Sequence, residues 1–121
     1  MYELKIIEEF SAAHRLRDYK GKCESLHGHN FQVELIVQAE EVENYGMVID
    51  FNSLKELLKA CLNTLDHKYL NEIPPFDKKN PTSESIAHYV YHFIKPKLPK
   101  NICFLKVSIW ESQTSCASYW E

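Results

Sequence analysis

The chain has 121 residues, with fourteen Lys plus Arg against seventeen Asp plus Glu for a formal net charge of −3; this mild acidity argues against a broad nucleic-acid or anionic-membrane surface and favours a small-molecule substrate. At 45% hydrophobic and 26% charged residues, residues 1–121 read as one soluble globular domain, large enough to bury a core without disulfide or metal staples. No apolar run approaches the ~20 residues of a membrane span, and Met1-Tyr2-Glu3-Leu4-Lys5 lacks a signal peptide's charged start and apolar stretch, so a cytoplasmic location is expected. Cys23, Cys61, Cys103 and Cys116 are far apart, form no CxxC and read as free thiols.

Tyr2, Leu4, Ile6 and Phe10 alternate with Glu3, Lys5 and Glu9, which predicts a half-buried strand over 2–10 with one break at Ile7. A second strand is predicted over Phe31–Ala39, where Val33, Leu35 and Val37 alternate with Gln32, Glu34 and Gln38. Residues 11–30 between them read as a long polar loop, a length that compact domains reserve for function or leave disordered. After a turn at Asn44-Tyr45-Gly46, Phe51, Leu54, Leu58, Cys61, Leu62 and Leu65 form one helical stripe, with Asp50 as N-cap. A second helix is capped by Thr82, carries Glu84 in its first turn, presents Ile86, Ala87, Val90 and Ile94 as its apolar stripe, and ends at Pro96. Cys103, Leu105, Val107 and Ile109 predict a third strand and Ala117–Trp120 a short fourth. The order ββααββ predicts an α+β domain, a four-stranded antiparallel sheet with two helices on one face.

His27-Gly28-His29 enters the second strand, where residues two apart point to the same face, so the imidazoles can converge on one ion. His14 follows the first strand and supplies a third imidazole if the two strands pair. Three histidines with no adjacent carboxylate or thiolate suit a tetrahedral zinc with one open position, the catalytic pattern; the spacing is equally that of hydrogen-bonded loop histidines. Cys23, beside Lys22 and four residues before His27, reads either as an accessible thiolate or as a small packed hydrophobe. Asp66-His67 follows the first helix, where the helix dipole and the carboxylate favour an imidazolium, so the pair suits proton transfer or, alternatively, C-capping. Glu111 continues the face of Val107 and Ile109 with a carboxylate, which can accept two parallel hydrogen bonds from an amidine-like edge such as a guanine-type or pterin ring presents, or can be a solvated strand end. His88 and His92 have i, i+4 spacing but lie opposite the apolar stripe and read as a solvated face. Cys61 and Cys103 read as packing, and Cys116 with Tyr119-Trp120 as core, edge or subunit contact.

Taken together, Phe10-Ser11-Ala12-Ala13-His14-Arg15-Leu16, Cys23-Glu24-Ser25-Leu26-His27-Gly28-His29-Asn30-Phe31, Gly46-Met47-Val48-Ile49-Asp50-Phe51, Leu65-Asp66-His67-Lys68-Tyr69-Leu70-Asn71, Asn80-Pro81-Thr82-Ser83-Glu84 and the late Glu111 resemble the 6-pyruvoyl-tetrahydropterin and 6-carboxytetrahydropterin synthase family across nearly the whole chain. The resemblance implies the tunnelling fold (T-fold), an oligomeric barrel with active sites at subunit interfaces, and a homo-oligomer with a hexamer as the leading arrangement. It assigns His14, His27 and His29 to zinc, Cys23 to the catalytic base, Asp66 and His67 to a proton relay, and Glu111 to the pterin ring, with Thr82 and Ser83 as further substrate contacts. Cys23-x-x-x-His27-Gly28-His29 resembles the queuosine-pathway branch, which forms 6-carboxytetrahydropterin, acetaldehyde and triphosphate from 7,8-dihydroneopterin triphosphate. Glu24 resembles a folate-type subgroup that uses a glutamate in place of the cysteine, which keeps a 6-hydroxymethyl-forming reaction, beside the pyruvoyl-forming one, as an alternative. Arg15, Lys20 and Lys22 are candidates for the phosphates. A zinc-dependent assembly module without a substrate is the non-enzymatic alternative, and Glu111 and Cys23 argue against it.

Overall fold

Strands β1 (Tyr2–His14) and β2 (His27–Ala39) pair antiparallel along their whole length, from Tyr2 opposite Ala39 to His14 opposite His27, in a computed structural model that describes residues 1–20 and 25–121. Both strands run four residues further into the expected loop than their apolar alternation reaches. The reason is that Ala12 and His14 keep the two-residue period, at 6% and 3% exposure, although neither residue is a strong apolar marker. Helices α1 (Phe51–Leu62) and α2 (Ser83–Ile94) follow, separated by β3 (Lys68–Tyr69), and β4 (Phe104–Ser112) and β5 (Ser115–Trp120) close the chain. The sheet order is β3-β1-β2-β4-β5. Four strands are antiparallel as expected, and the fifth, β3, lies parallel to β1 through Ala12–Lys68 and Ala13–Tyr69; two residues are too few to show a period.

Each helix begins where a side chain accepts its free amides. Asp50 takes Asn52 N at 2.7 Å, and Thr82 takes Ser85 N at 3.1 Å. Both helices pack on one face of the sheet, where Phe31, Leu35, Leu54, Leu58, Ile86 and Ile109 are fully buried, each contributing about 1.5–3 kcal/mol by leaving water. Phe51 departs from the expected stripe and stays 55% exposed, since a first-turn residue has no preceding turn to cover it. Cys103 is exposed rather than packed: it precedes β4, and its amide and Sγ both turn to the Gln38 carbonyl. The other sheet face is polar, with Lys5 paired to Glu34 at 3.6 Å. No helix among the described residues is long and apolar enough to cross a membrane.

Candidate metal and active site

Strand register builds a histidine cluster on the helix-covered face. His14 and His27 are directly opposed, and His29, two residues along β2, shares their face. Ring centroids lie 4.6 Å apart for His14–His27, 5.1 Å for His14–His29 and 4.8 Å for His27–His29. Gly28, between the two β2 histidines, faces the opposite side, where an added Cβ would meet only the Ala12 carbonyl at an ordinary 3.7 Å.

Glu111 joins the cluster from β4. Trp110 pairs with Cys116 and Ser112 with Ser115, which leaves Glu111 as the extra residue of a β-bulge, a device that bends a strand and re-aims its side chain. Its Oε1 lies 2.8 Å from His29 Nε2 and 3.7 Å from His14 Nε2. One ligand atom from each of His14, His27, His29 and Glu111 falls within 4.8 Å of the others.

The tautomers suit a cation. His14 Nδ1 donates to the Pro81 carbonyl at 2.8 Å and His27 Nδ1 to that of Ser25 at 2.9 Å, an arrangement that leaves Nε2 as the metal-binding nitrogen of each ring. Among the described residues, His14 Nε2 and His29 Nε2 are buried without a hydrogen-bond partner, and the Glu111 carboxylate faces both. Burial, more than any other cause, pushes the His14 pKa down, and His27 and His29 push the same way, while the Pro81 carbonyl and Glu111 oppose them. Buried ring nitrogens that converge without a partner are costly unless they meet a cation. The ring nitrogens of His14, His27 and His29, with the adjacent Glu111 carboxylate, form a group that could hold a metal ion.

A cleft of about 450 Å³ opens beside the cluster, lined among others by His14, Tyr19, His27, Ser83, Glu84 and Glu111. Thr82 and Ser83 differ within it. The Thr82 hydroxyl is committed to capping α2, accepting from Ser85 N and donating to Ser85 Oγ at 3.1 Å each, whereas Ser83 Oγ is buried with no hydrogen-bond partner among the described residues. Lys20 Nζ lies 5.3 Å from the Tyr19 ring centre and Arg15 is tied through its backbone to Asn71. Cys23, Glu24 and Lys22 lie outside the described residues.

Asp66 and His67 are brought together, but outside the cleft that His14, His27 and Glu111 line. His67 Nδ1 is 3.0 Å from Asp66 Oδ2, and the backbone of His67 takes a left-handed φ of 57° while its amide donates to the Ser11 carbonyl. The Ser11 amide donates in turn to Asp66 Oδ1 at 2.9 Å. That bond, ahead of the contacts with His67, holds the Asp66 carboxyl below the usual range. His67 is 81% exposed and borders a second cleft, of about 500 Å³, whose lining includes Ser11, Ala13, Gly28 and Asn30, which alternate with the residues of the histidine-bearing face, and also His29 of the cluster.

His88 and His92 are exposed as expected, yet they are not merely solvated. His92 Nε2 lies 3.2 Å from Glu121 Oε2, and both rings contact Tyr119. No sequence pattern singles out Tyr19 in the cleft, and although Asn71 and Asn80 stand in the motifs of the resemblance, nothing in the sequence gives their role, because their partners are backbone groups far along the chain.

Residues 3–121 match the sequence model of the family described as 6-pyruvoyl tetrahydropterin synthase. Over 121 residues the chain is 36% identical to a 6-carboxy-5,6,7,8-tetrahydropterin synthase of Synechocystis, covering 94% of this chain and 91% of that protein. Over 102 residues it is also 36% identical to a dihydroneopterin monophosphate aldolase of Pyrococcus furiosus, covering 84% and 82%. The solved 6-pyruvoyl tetrahydropterin synthase of Caenorhabditis elegans superposes with a TM-score of 0.84 at 28% identity, over 99% of this chain and 95% of that one.

Proposed function

The chain belongs to the 6-pyruvoyl tetrahydropterin synthase family, and we propose that within it the chain is a zinc-dependent 6-carboxy-5,6,7,8-tetrahydropterin synthase of queuosine biosynthesis. Its substrate in this reading is 7,8-dihydroneopterin triphosphate and its products are 6-carboxytetrahydropterin, acetaldehyde and triphosphate. The observation that carries the reading is the convergence of His14, His27 and His29 with Glu111, three of which (His14, His27 and Glu111) line one cleft.

His14, His27 and His29 would hold the metal through Nε2, and a dication bound there supplies Lewis acidity toward side-chain oxygens of the substrate. Glu111 and Ser83 border the same cleft and offer acceptors to the ring's N–H edge. Cys23 removes a carbon-bound proton as general base, and His67, oriented by Asp66, carries protons to and from the side chain. Since the Asp66–His67 pair borders the opposite sheet face, a complete site draws it from a neighbouring protomer. In this reading the chain works as a homo-oligomer, with a hexamer the arrangement that the family resemblance favours.

A second reading has its own support. The Pyrococcus furiosus relative is a dihydroneopterin monophosphate aldolase at the same identity, and Glu24 offers a carboxylate base beside Cys23. Steady-state kinetics on the triphosphate and the monophosphate of 7,8-dihydroneopterin separate the two. The synthase reading expects a higher kcat/KM on the triphosphate; a preference for the monophosphate with aldol cleavage would install the second reading, and turnover of neither would leave a zinc-binding module.

A further inference from the structure

The outer edge of β1 does not stop where β3 ends. Past Ala13–Tyr69 and the end of β1, the backbone groups of Arg15 and Arg17 are taken by side-chain carboxamides. Asn71 Oδ1 accepts from Arg15 N at 2.9 Å while Asn71 Nδ2 donates to Arg15 O at 2.9 Å; Asn80 Oδ1 accepts from Arg17 N at 2.7 Å while Asn80 Nδ2 donates to Arg17 O at 3.0 Å. Residues two apart in an extended chain present both backbone groups to the same side, so the two asparagines act as single-residue strands. The Arg17 guanidinium ties the same loop down through the Asn71, Phe76 and Lys79 carbonyls.

The two rungs are chemically alike but lead into different neighbours. Asn71 sits in a short helical turn, Leu70–Glu72. Asn80 is succeeded at once by Pro81, whose carbonyl accepts from His14 Nδ1, and the Asn80 carbonyl accepts from Thr82 N at 2.9 Å. Pinned at both its side chain and its carbonyl, Asn80 leaves the Pro81 carbonyl little freedom. That carbonyl selects the His14 tautomer and ring orientation, because it can only accept.

We infer that Asn80 is a positioning residue for the metal: by clamping the Arg17 backbone it fixes the Pro81 carbonyl, which holds His14 Nε2 toward His27 and His29. The inference rests on the proposed metal site. An outer-shell partner of this kind typically sets metal affinity by roughly 10–100-fold.

The test measures zinc affinity of the full chain by competition with a chromophoric chelator, and the ligand-field spectrum of the cobalt(II)-substituted chain, for the unmodified protein, Asn80→Ala and Asn71→Ala. Both variants lose two equivalent hydrogen bonds and are expected to lower Tm to a similar degree. Only Asn80→Ala is expected to weaken zinc binding, by about tenfold or more, and to alter the cobalt bands, with Asn71→Ala within about twofold of the unmodified chain. Equal weakening in both variants, or none in Asn80→Ala, overturns the inference while leaving the metal site standing. Absence of zinc binding by the unmodified chain overturns the metal site and the inference with it. Should Asn80→Ala fail to fold, Asn80→Asp keeps the acceptor for Arg17 N and loses only the donor; it is expected to show a smaller loss of affinity, and unchanged affinity overturns the inference.

Discussion

Glu111 Oε1 lies 2.8 Å from His29 Nε2, and the bulge that puts it there also leaves its carboxylate on the wall of the cleft. It can therefore serve the metal or the substrate ring, and one substitution separates the roles. Glu111→Gln keeps the shape and one acceptor but loses the charge. Because three imidazoles suffice for a catalytic zinc, the variant is expected to bind zinc undiminished while kcat/KM falls on the order of 10–100-fold through KM, the loss of charge-assisted hydrogen bonds. Equilibrium dialysis with zinc and steady-state kinetics check this; loss of the metal would make Glu111 a ligand instead.

Asp66 accepts from Ser11 N and faces His67 Nδ1. Its carboxyl pKa is depressed in the folded chain, by the Ser11 amide first, relative to about 3.9 when unfolded. Its stabilisation is thus present above the unfolded value and lost as pH falls through the folded one. Asp66→Asn is expected to flatten the acid side of the Tm-against-pH curve, and to lower kcat by about 10²–10⁴-fold by releasing His67. An unchanged kcat would remove the relay from the mechanism.

Replacing Cys23 with Ala is expected to abolish turnover while zinc stays bound at full stoichiometry, measured by metal analysis of the purified variant. Full activity would exclude the thiol as base and turn attention to Glu24.

The fold was legible where burial has a period. Val33, Leu35 and Val37 betrayed β2, and Thr82 betrayed the start of α2, because apolar alternation and capping are local properties. The ends of β1 and β2 were not legible: Ser11 to His14 and His27 to Asn30 are small or polar, and they continue as strands only because each finds the other, a pairing distant in sequence. The same reason hid the carboxamide rungs at Asn71 and Asn80, whose partners are backbone groups of Arg15 and Arg17. The three histidines could be named from their spacing, and Glu111 from its place on the face of Val107 and Ile109, but the one-residue mismatch between β4 and β5 at Glu111 is a property of the pairing that neither strand shows alone.

Cys61 is fully buried on α1, and burial pushes its thiol up to about 12. A pKa raised in the folded state means stability that is complete below the unfolded thiol value, about 8.5, and is lost as pH rises toward the folded one. Alkylation with iodoacetamide at about pH 8 is expected to spare Cys61 in the native chain while modifying the exposed Cys103 and Cys116. Mass spectrometry of the peptides checks it, and native labelling of Cys61 would contradict its packing against the core.

The most direct measurement is to strip the chain of metal, restore zinc to half of it, incubate both halves with 7,8-dihydroneopterin triphosphate, and identify the pterin and any volatile aldehyde by mass spectrometry. A zinc-dependent 6-carboxytetrahydropterin synthase yields 6-carboxytetrahydropterin and acetaldehyde from the zinc-restored half and neither from the stripped half. A 6-pyruvoyl or 6-hydroxymethyl product, or equal turnover in the two halves, would contradict that assignment.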